Sequence, residues 1–407
     1  MKIPLWKFSD LVDITNGTYI LKDLQTPETI NIFGFSIDTR TLVKGDIFVA
    51  LKGNRDGHDY VLEAFTSGAA AALVSEVPKN CKGEVNLLVV EDVLVALREI
   101  AAVARARFNG LTISITGSVG KTTTKDMLRH ALEPLGRVHA SVRSFNNFIG
   151  VPITMASLPP DADFAIFEIG MNKPGEIEPL STLVRPDHVV ITTTGRSHTE
   201  SFKNIKDIAK EKASIVKGLL KGGKAFLCMD GELQENIRQI LEEASIQVVT
   251  FGSNCPSDFK ISSIKSIGTG SQMVCQTSKE QKVSCKFNFW HKHLMVNALG
   301  VVTVFIELEL DLLNGIQALE EWSPIEGRGL VYKLELLNEP SNSRLLLIDD
   351  SYNSNPISLR SSLENFISFE DFYASNKNVL TRLAILGDML ELGVDSINQH
   401  TKIADLI

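Results

Sequence analysis

Residues 116–124, Thr-Gly-Ser-Val-Gly-Lys-Thr-Thr-Thr, constrain the fold of this chain more than any other segment. The preceding residues 111–115 are apolar at alternate positions and rich in β-branched side chains, which predicts a strand. The following residues 125–133 have apolar side chains at helical spacing, which predicts a helix. A strand, a glycine-containing loop and a helix in this order are the framework of a phosphate-binding loop.

The residues of the loop suit this role. Gly117 and Gly120 allow the backbone to turn successive N–H groups toward one anion, and the helix N-terminus adds about half a positive charge. Lys121 can reach the outer phosphates, and the Thr122 hydroxyl can ligate Mg²⁺. The match is imperfect, because Ile115 stands where the general pattern has its first glycine. The alternative is a turn that only joins a strand to a helix, and the Gly-Lys-Thr sequence in this context favours the phosphate site.

Composition and charge narrow the class of protein. The 407 residues suffice for two or three domains, and 44% apolar with 22% charged residues is typical of a globular protein. A net charge of −8 argues against nucleic-acid binding. Five scattered cysteines without a C-x-x-C pair argue against zinc and disulfides and favour a reducing compartment. With no signal-peptide pattern and no long apolar run, we expect a cytoplasmic protein that does not insert into membranes.

Two further polar residues follow predicted strands. The apolar strand 164–167 leads directly into Glu168, and the strand 188–193 leads toward His198. The carboxyl ends of parallel strands meet at one edge of a sheet, so both side chains are candidates for the same edge as Lys121. Glu168 is then a candidate Mg²⁺ ligand, the alternative being a solvated strand end. A lone histidine is more often structural, and only its position favours His198.

Lys212 lies near the apolar face of a predicted helix over residues 205–220. A lysine there is unusual; it either extends its ammonium group to solvent or has a function. Elsewhere, Asn146 and Asn147 followed by glycine and proline predict a loop over residues 144–152. Residues 383–386 predict a strand.

The ordered set of motifs closely resembles the Mur ligases, a family of ATP-dependent amide-forming enzymes of peptidoglycan synthesis, from about residue 36 to the C-terminus. The last three motifs are similar to the branch that adds D-alanyl-D-alanine to UDP-N-acetylmuramoyl-tripeptide. The motifs that carry the resemblance are residues 116–125, 146–152, 167–177, 348–356 and 386–393.

The resemblance implies an α/β fold with three domains. Residues 1–100 would form a small UDP-substrate-binding domain, and residues 101–322 a central ATP-binding domain of the P-loop type with a parallel sheet. Residues 323–407 would form a Rossmann-like ligase domain that closes over the site. Because family members run on beyond residue 407, we expect this third domain to be incomplete, which would leave an inactive homologue as one alternative.

The resemblance also implies roles for individual residues, matched position by position. The predicted nucleotide contacts are Gly117, Ser118, Gly120, Lys121, Thr122, Thr123, Asn297, Arg328 and Asp350. Thr122, Glu168, His198 and Lys212 match the ligands of two Mg²⁺ ions, and Lys212 matches the lysine that is carbamylated in several members. The predicted catalytic residues are Lys121, Lys212, His198 and Asn147, and the predicted substrate contacts are Thr39, Arg40, Asp56, His58, Tyr352, Asn353 and Asn355. One departure is residues 291–294, His-Lys-His-Leu, where the family has Gly-Arg-His-Asn.

The implied reaction activates the tripeptide carboxylate with ATP as an acyl phosphate, which the amine of D-alanyl-D-alanine then attacks. This places the protein in cell-wall biogenesis, and hence in cell shape and division, as a monomer acting on small molecules. Three alternatives stay open: a P-loop ATPase that moves a partner, a related ligase with another amine acceptor, and an inactive scaffold.

Overall fold

The computed structural model describes residues 3–22, 25–79, 81, 85–141, 144–196, 200–202, 204–253, 256–267, 270–335, 344–367 and 382–405. These residues form an α/β protein, as predicted. The strands are β1 (Trp6–Lys7), β2 (Thr18–Ile20), β3 (Asn31–Ile32), β4 (Phe35–Ser36), β5 (Ile47–Val49), β6 (Ala71–Val74), β7 (Leu87–Val89), β8 (Leu111–Thr116), β9 (Val138–Ala140), β10 (Phe164–Glu168), β11 (His188–Ile191), β12 (Lys224–Cys228), β13 (Gln247–Gly252), β14 (Phe259–Ile267), β15 (Gly270–Gln276), β16 (Lys282–Phe287), β17 (Leu330–Glu335) and β18 (Arg344–Asp349). The helices are α1 (Phe8–Thr15), α2 (Val61–Thr66), α3 (Val93–Ala106), α4 (Lys121–Leu132), α5 (Gly150–Ala156), α6 (Ile177–Val184), α7 (Ile205–Ala213), α8 (Gln234–Glu243), α9 (Lys292–Glu307), α10 (Leu312–Glu321), α11 (Pro356–Ile367) and α12 (Ser396–Ala404).

The largest sheet has the strand order β16-β15-β14-β13-β12-β11-β8-β10-β9. Strands β8, β11, β12 and β13 pair in parallel, and β14, β15 and β16 continue as an antiparallel meander. Strands β8, β11 and β12 are almost entirely buried, as expected for strands of a parallel sheet covered on both faces. Their carboxyl ends share one edge, where the phosphate-loop motif begins.

The chain separates into two compact units. The first comprises Met1–Thr112, Arg137–Phe167 and Thr182–Arg185. It contains the five-stranded sheet β2-β7-β6-β5-β4, whose apolar core includes Phe48, Val61 and Leu87.

The second unit comprises Ile113–Gly136, Glu168–Ser181 and Pro186–Ile407. Within it, Trp322 after α10 donates a hydrogen bond from its indole nitrogen to Asp126 of α4 at 2.9 Å. Strands β17 and β18 form a separate antiparallel pair. This division has two units, and the boundaries expected at residues 100 and 322 remain a prediction. No helix among the described residues is long and apolar enough to span a bilayer.

Two expectations about local structure are wrong. Residues 150–152 begin helix α5 instead of ending a loop. The side-chain oxygen of Asn147 accepts hydrogen bonds from the N–H groups of Ile149 at 3.1 Å and Gly150 at 2.8 Å, and Pro152 falls in the first turn, where its missing N–H costs nothing. Residues 383–386 form no strand, because no described strand pairs with them; Leu383 is 78% exposed.

Candidate active site

The loop between β8 and α4 has the geometry that its glycines predict. Gly120 caps α4 with φ +90°, in the left-handed region that favours glycine. A Cβ atom built on Gly120 would lie 2.6 Å from the side-chain oxygen of Asn297, and one on Gly117 would overlap the Thr192 hydroxyl. Side chains are therefore excluded at both positions. The structure brings Asn297, a predicted nucleotide contact that is 6% exposed, against the loop.

The backbone N–H groups of the loop divide into two sets. Those of Ser118 and Val119 donate to the Thr193 carbonyl at 3.0 and 3.1 Å, so they anchor the loop to the segment after β11. This differs from the expectation that successive loop N–H groups all face one anion. The first turn of α4, from Lys121 to Thr123, lies at the helix N-terminus, where backbone N–H groups point along the helix axis toward the loop and can bind an anion.

Lys121 folds back on the loop. Its Nζ donates to the carbonyl oxygens of Gly117 at 2.8 Å and Ser118 at 3.4 Å. Burial lowers the pKa of its ammonium group, the Glu168 carboxylate opposes this shift, and the Arg328 guanidinium adds to it. A phosphate that enters the loop can replace these carbonyl acceptors with a charged one.

Glu168 ends strand β10 and is 1% exposed, so the alternative of a solvated strand end is wrong. The next residue, Ile169, donates its N–H to the Ile115 carbonyl at 2.8 Å, which holds Glu168 beside the end of β8. Its Oε2 lies 3.9 Å from Nζ of Lys125 on α4. Thr122, the other predicted oxygen ligand, is 5% exposed in the first turn of the same helix.

Lys212 is 2% exposed on α7, so the idea that it extends to solvent is also wrong. Its Nζ donates to the Gly117 carbonyl at 3.0 Å, the same oxygen that accepts from Lys121. Burial lowers the pKa of Lys212 well below its usual value of 10.5, the nearby Lys121 lowers it further, and Glu211 opposes the shift. A lower pKa makes the uncharged, nucleophilic form of this amine easier to reach.

Sequence reasoning missed Glu211, which precedes Lys212. Its two carboxylate oxygens accept hydrogen bonds from the N–H groups of Gly175 and Ile177, both at 2.8 Å. These bonds tie the segment that follows Glu168 to helix α7. No sequence signal identifies Glu211, since an acidic residue on a helix usually faces solvent.

The segment after residue 326 provides the remaining predicted nucleotide residues. A cavity between α4, α9 and this segment is lined by Thr123, Asn297, Arg328, Asp350 and Asn353, among others. The Arg328 guanidinium carbon lies 4.2 Å from the centre of the Tyr352 ring, and the Asp350 carboxylate accepts a hydrogen bond from Ser362. The side-chain oxygen of Asn355 accepts from the N–H groups of Ile357 and Ser358 at 3.0 and 2.9 Å, so this predicted substrate contact caps α11.

Three residues near this cavity carried no predicted role. Asn365 of α11 contacts Nδ1 of His293 at 2.8 Å and accepts the Lys292 N–H at 3.2 Å. His291 is 2% exposed and stacks on Trp290 at 4.9 Å, and burial lowers its pKa to about 3. The only related signal in the sequence is the unusual composition of residues 291–294.

The predicted UDP contacts lie in the first unit. The His58 ring contacts the Asp56 carboxylate at 2.6 Å and accepts the Ser75 N–H at 3.0 Å. Nearby in sequence, the Thr39 hydroxyl donates to Glu63 at 2.6 Å, and the Arg40 guanidinium is bound to Asp38 at 2.6 and 2.9 Å. Asn147, as described above, caps α5. His198 lies outside the described residues.

Comparison with known proteins assigns a family to this fold. The model of the Mur ligase middle domain matches residues 115–305, which include the loop, Glu168, Lys212 and Asn297. A UDP-N-acetylmuramoyl-tripeptide–D-alanyl-D-alanine ligase of Rickettsia prowazekii is 32% identical over 387 residues, covering 94% of this chain and 82% of the relative. The chain belongs to the Mur ligase family.

Other matches agree with this assignment. A Bacillus subtilis ligase of the same name is 32% identical, and the match covers 94% of this chain and 79% of that relative. The crystal structure of MurF from Acinetobacter baumannii matches with a TM-score of 0.81 and 28% identity, covering 99% of this chain and 84% of that one. The Thermotoga maritima MurF ligase in complex with ADP shares the fold, with a TM-score of 0.75 at 24% identity. The expectation of an incomplete third domain is not borne out by these matches.

Proposed function

We propose that this Mur ligase joins D-alanyl-D-alanine to UDP-N-acetylmuramoyl-tripeptide in an ATP-dependent step of peptidoglycan synthesis. The observation that carries the proposal is the meeting of Lys121, Lys212 and Glu168 around a glycine loop at the N-terminus of α4. Relatives at 32% identity over most of the chain bear the name of this activity.

ATP binding rests on the loop and on the cavity beside it. The first turn of α4 presents N–H groups and a helix dipole to the phosphates, and Lys121 supplies a positive charge. Asn297 lies beside Gly120 and lines the cavity, which fits its predicted contact with the adenine. Arg328 and Asp350 line the same cavity and are the proposed contacts from the closing segment.

The donor atoms near the loop fit Mg²⁺. A buried carboxylate and a hydroxyl are the oxygen ligands that this ion prefers, and Glu168 and Thr122 would provide them. His198 and a carbamate on Lys212 would complete two sites. When bound, Mg²⁺ supplies positive charge that offsets the repulsion between a carboxylate and a triphosphate.

The surroundings of Lys212 support the proposal that its amine is carbamylated. Its amine is buried, and Lys121 donates to the same carbonyl, so a second positive charge here is unfavourable. Reaction of the uncharged form of the amine with carbon dioxide releases one proton and forms a carbamate, which places a negative charge beside Lys121. The carbamate would then be an oxygen ligand of the same kind as Glu168.

The chemistry needs no nucleophile from the protein. A carboxylate oxygen of the tripeptide attacks the γ-phosphorus, the bond to the β,γ-bridging oxygen breaks, and ADP leaves. The amine of D-alanyl-D-alanine then attacks the acyl carbon, loses a proton, and expels phosphate. Lys121 stabilises the charge on the transferring group, and water must be excluded so that the acyl phosphate is not hydrolysed.

The remaining roles extend the proposal to the ends of the substrates. Thr39, Arg40, Asp56 and His58 are the proposed contacts of the UDP group, and Asn147 is proposed to lie near the acyl group. Tyr352, Asn353 and Asn355 are the proposed contacts of the incoming amine. We propose a cytoplasmic monomer.

Phosphate release measured with UDP-N-acetylmuramoyl-tripeptide and ATP tests the proposal. We expect release to require D-alanyl-D-alanine and to accompany an amide product of the corresponding mass. Release with UDP-N-acetylmuramoyl-dipeptide and a single amino acid would instead indicate another amine acceptor. ATP hydrolysis that is unaffected by any amine would contradict a ligase.

A further inference from the structure

Lys125 is a buried lysine for which the proposed mechanism has no role. It lies four residues after Lys121 on α4, so both side chains project from the same face of the helix. Lys125 is only 4% exposed, and lysine is rarely buried without a partner. Its Nζ lies 3.9 Å from Oε2 of Glu168, which is 1% exposed.

The three lysines around the loop are held differently. The ammonium groups of Lys121 and Lys212 donate to the Gly117 carbonyl at 2.8 and 3.0 Å. Lys125 instead forms the ion pair with Glu168. The Lys121 nitrogen is thus hydrogen-bonded to the loop while its charge also acts on Glu168, and the Lys125 nitrogen lies next to the carboxylate itself.

The distance in this pair is informative. Removing either charge from water costs several kcal/mol, and an opposite charge nearby offsets that cost. At 3.9 Å the two atoms attract each other, yet they are farther apart than a hydrogen bond allows. The ammonium therefore neutralises the carboxylate, but no hydrogen bond joins this nitrogen and this oxygen. A metal ion that binds this oxygen would not have to break such a bond.

We propose that Lys125 is the counter-ion of Glu168 in the metal-free protein, and that a divalent cation takes over this role when it binds. Lys125 is a positioning residue: it keeps a charged carboxylate at the end of β10 until the cation arrives. The inference rests on the proposed function in one respect, namely that Glu168 is a metal ligand.

Thermal unfolding of Lys125→Met tests the first half. Methionine keeps most of the side-chain volume and removes the charge. In EDTA we expect the midpoint of thermal unfolding to fall by about 5–10 °C, because the buried carboxylate loses the ammonium group that lies 3.9 Å from it. Added Mg²⁺ should raise the midpoint of the variant by at least half of this loss, and it should raise the midpoint of the wild type much less. Equal Mg²⁺ shifts in the two proteins, or an unchanged midpoint in EDTA, would overturn the proposal.

Titration with Mn²⁺, followed by electron paramagnetic resonance, tests the second half. Without the competing ammonium charge, we expect Lys125→Met to bind Mn²⁺ about tenfold more tightly than the wild type. Lys125→Arg keeps the charge and should resemble the wild type. The control is Lys217→Met, which replaces an exposed lysine on another element and should alter neither measurement. Weaker or unchanged Mn²⁺ binding in Lys125→Met would refute the exchange of cations.

A double variant covers the case in which Lys125→Met does not fold. Lys125→Met/Glu168→Gln removes both charges, so we expect it to fold and to show no Mg²⁺-dependent shift. Failure of this variant to fold would contradict the ion-pair explanation. None of these measurements uses the peptide substrate. A Mg²⁺-dependent difference between variant and wild type without amide formation would therefore support this inference and refute the proposed function. Amide formation without such a difference would support the proposed function and refute this inference.

Discussion

Replacing Lys121 with methionine separates catalysis from stability at this site. If the Lys121 ammonium stabilises the transferring phosphoryl group, its loss should cost about 3–4 kcal/mol of transition-state stabilisation, the magnitude found for removing one hydrogen-bond donor from an oxyanion hole. This corresponds to a fall in kcat of about 10²–10³-fold. Methionine preserves the volume and leaves the Gly117 carbonyl with its hydrogen bond from Lys212.

The structure predicts a much smaller effect on folding. The Lys121 and Lys212 nitrogens lie 2.8 and 3.0 Å from one oxygen, so they are at most about 6 Å apart, and a charge on one disfavours a charge on the other. Removing Lys121 loses its hydrogen bonds to the loop, each worth about 1.5–3 kcal/mol when charged, and its attraction to Glu168. It also relieves the unfavourable effect of Lys121 on Lys212 and the cost of burying the ammonium group. We expect the free energy of unfolding to change by less than about 1 kcal/mol.

The assay is phosphate release at saturating substrates, with urea denaturation of the ligand-free protein in parallel. Lys217→Met, which alters an exposed lysine, is the control and should match the wild type in both. A variant that keeps more than about a tenth of the wild-type rate would refute the assigned role of Lys121. A stability loss as large as the catalytic loss would mean that the lysine acts mainly by holding the loop together.

Three further predictions use other parts of the second unit. Gly120→Ala should destabilise the protein by about 1–3 kcal/mol more than Gly222→Ala in urea denaturation and should raise KM for ATP, because both glycines have φ near +90° but only Gly120 faces Asn297; equal losses would contradict this. Glu211→Gln should cost about 1–3 kcal/mol in the same assay, since the NH₂ group that replaces one carboxylate oxygen cannot accept a backbone N–H; an unchanged stability would contradict a stabilising role for these two hydrogen bonds. His291 has a folded-state pKa of about 3, below its ordinary 6.5, so its contribution to stability is present above pH 6.5 and is lost as the pH falls toward 3. Between pH 6 and 4 the free energy of unfolding of His291→Phe should therefore fall less steeply than that of the wild type, by about 1.4 kcal/mol per pH unit. The same slope in both proteins would contradict a buried neutral imidazole.

The local order of elements could be read directly from the sequence. Alternating β-branched residues before Gly117 and apolar residues at helical spacing after Lys121 depend only on neighbours a few positions away, and β8 and α4 form where these patterns predict them. The same local reasoning was wrong at residues 383–386, because a strand also needs a hydrogen-bonded partner elsewhere in the chain. It was wrong at residues 150–152 because a side-chain cap can start a helix in a sequence that resembles a turn.

The sequence by itself therefore determined the phosphate loop, the parallel strands around it and the resemblance to a family, since each depends on residues close together in the chain. Only the tertiary structure decided that Lys212 is buried on the Gly117 carbonyl, that Glu211 holds the segment after Glu168, and that Lys125 faces Glu168. The physical reason is that the partner of a buried charge is set by strand order and helix packing, which bring together residues 34 or more positions apart. Periodicity shows that a lysine is unusual on an apolar face, but the fold determines which group it meets there.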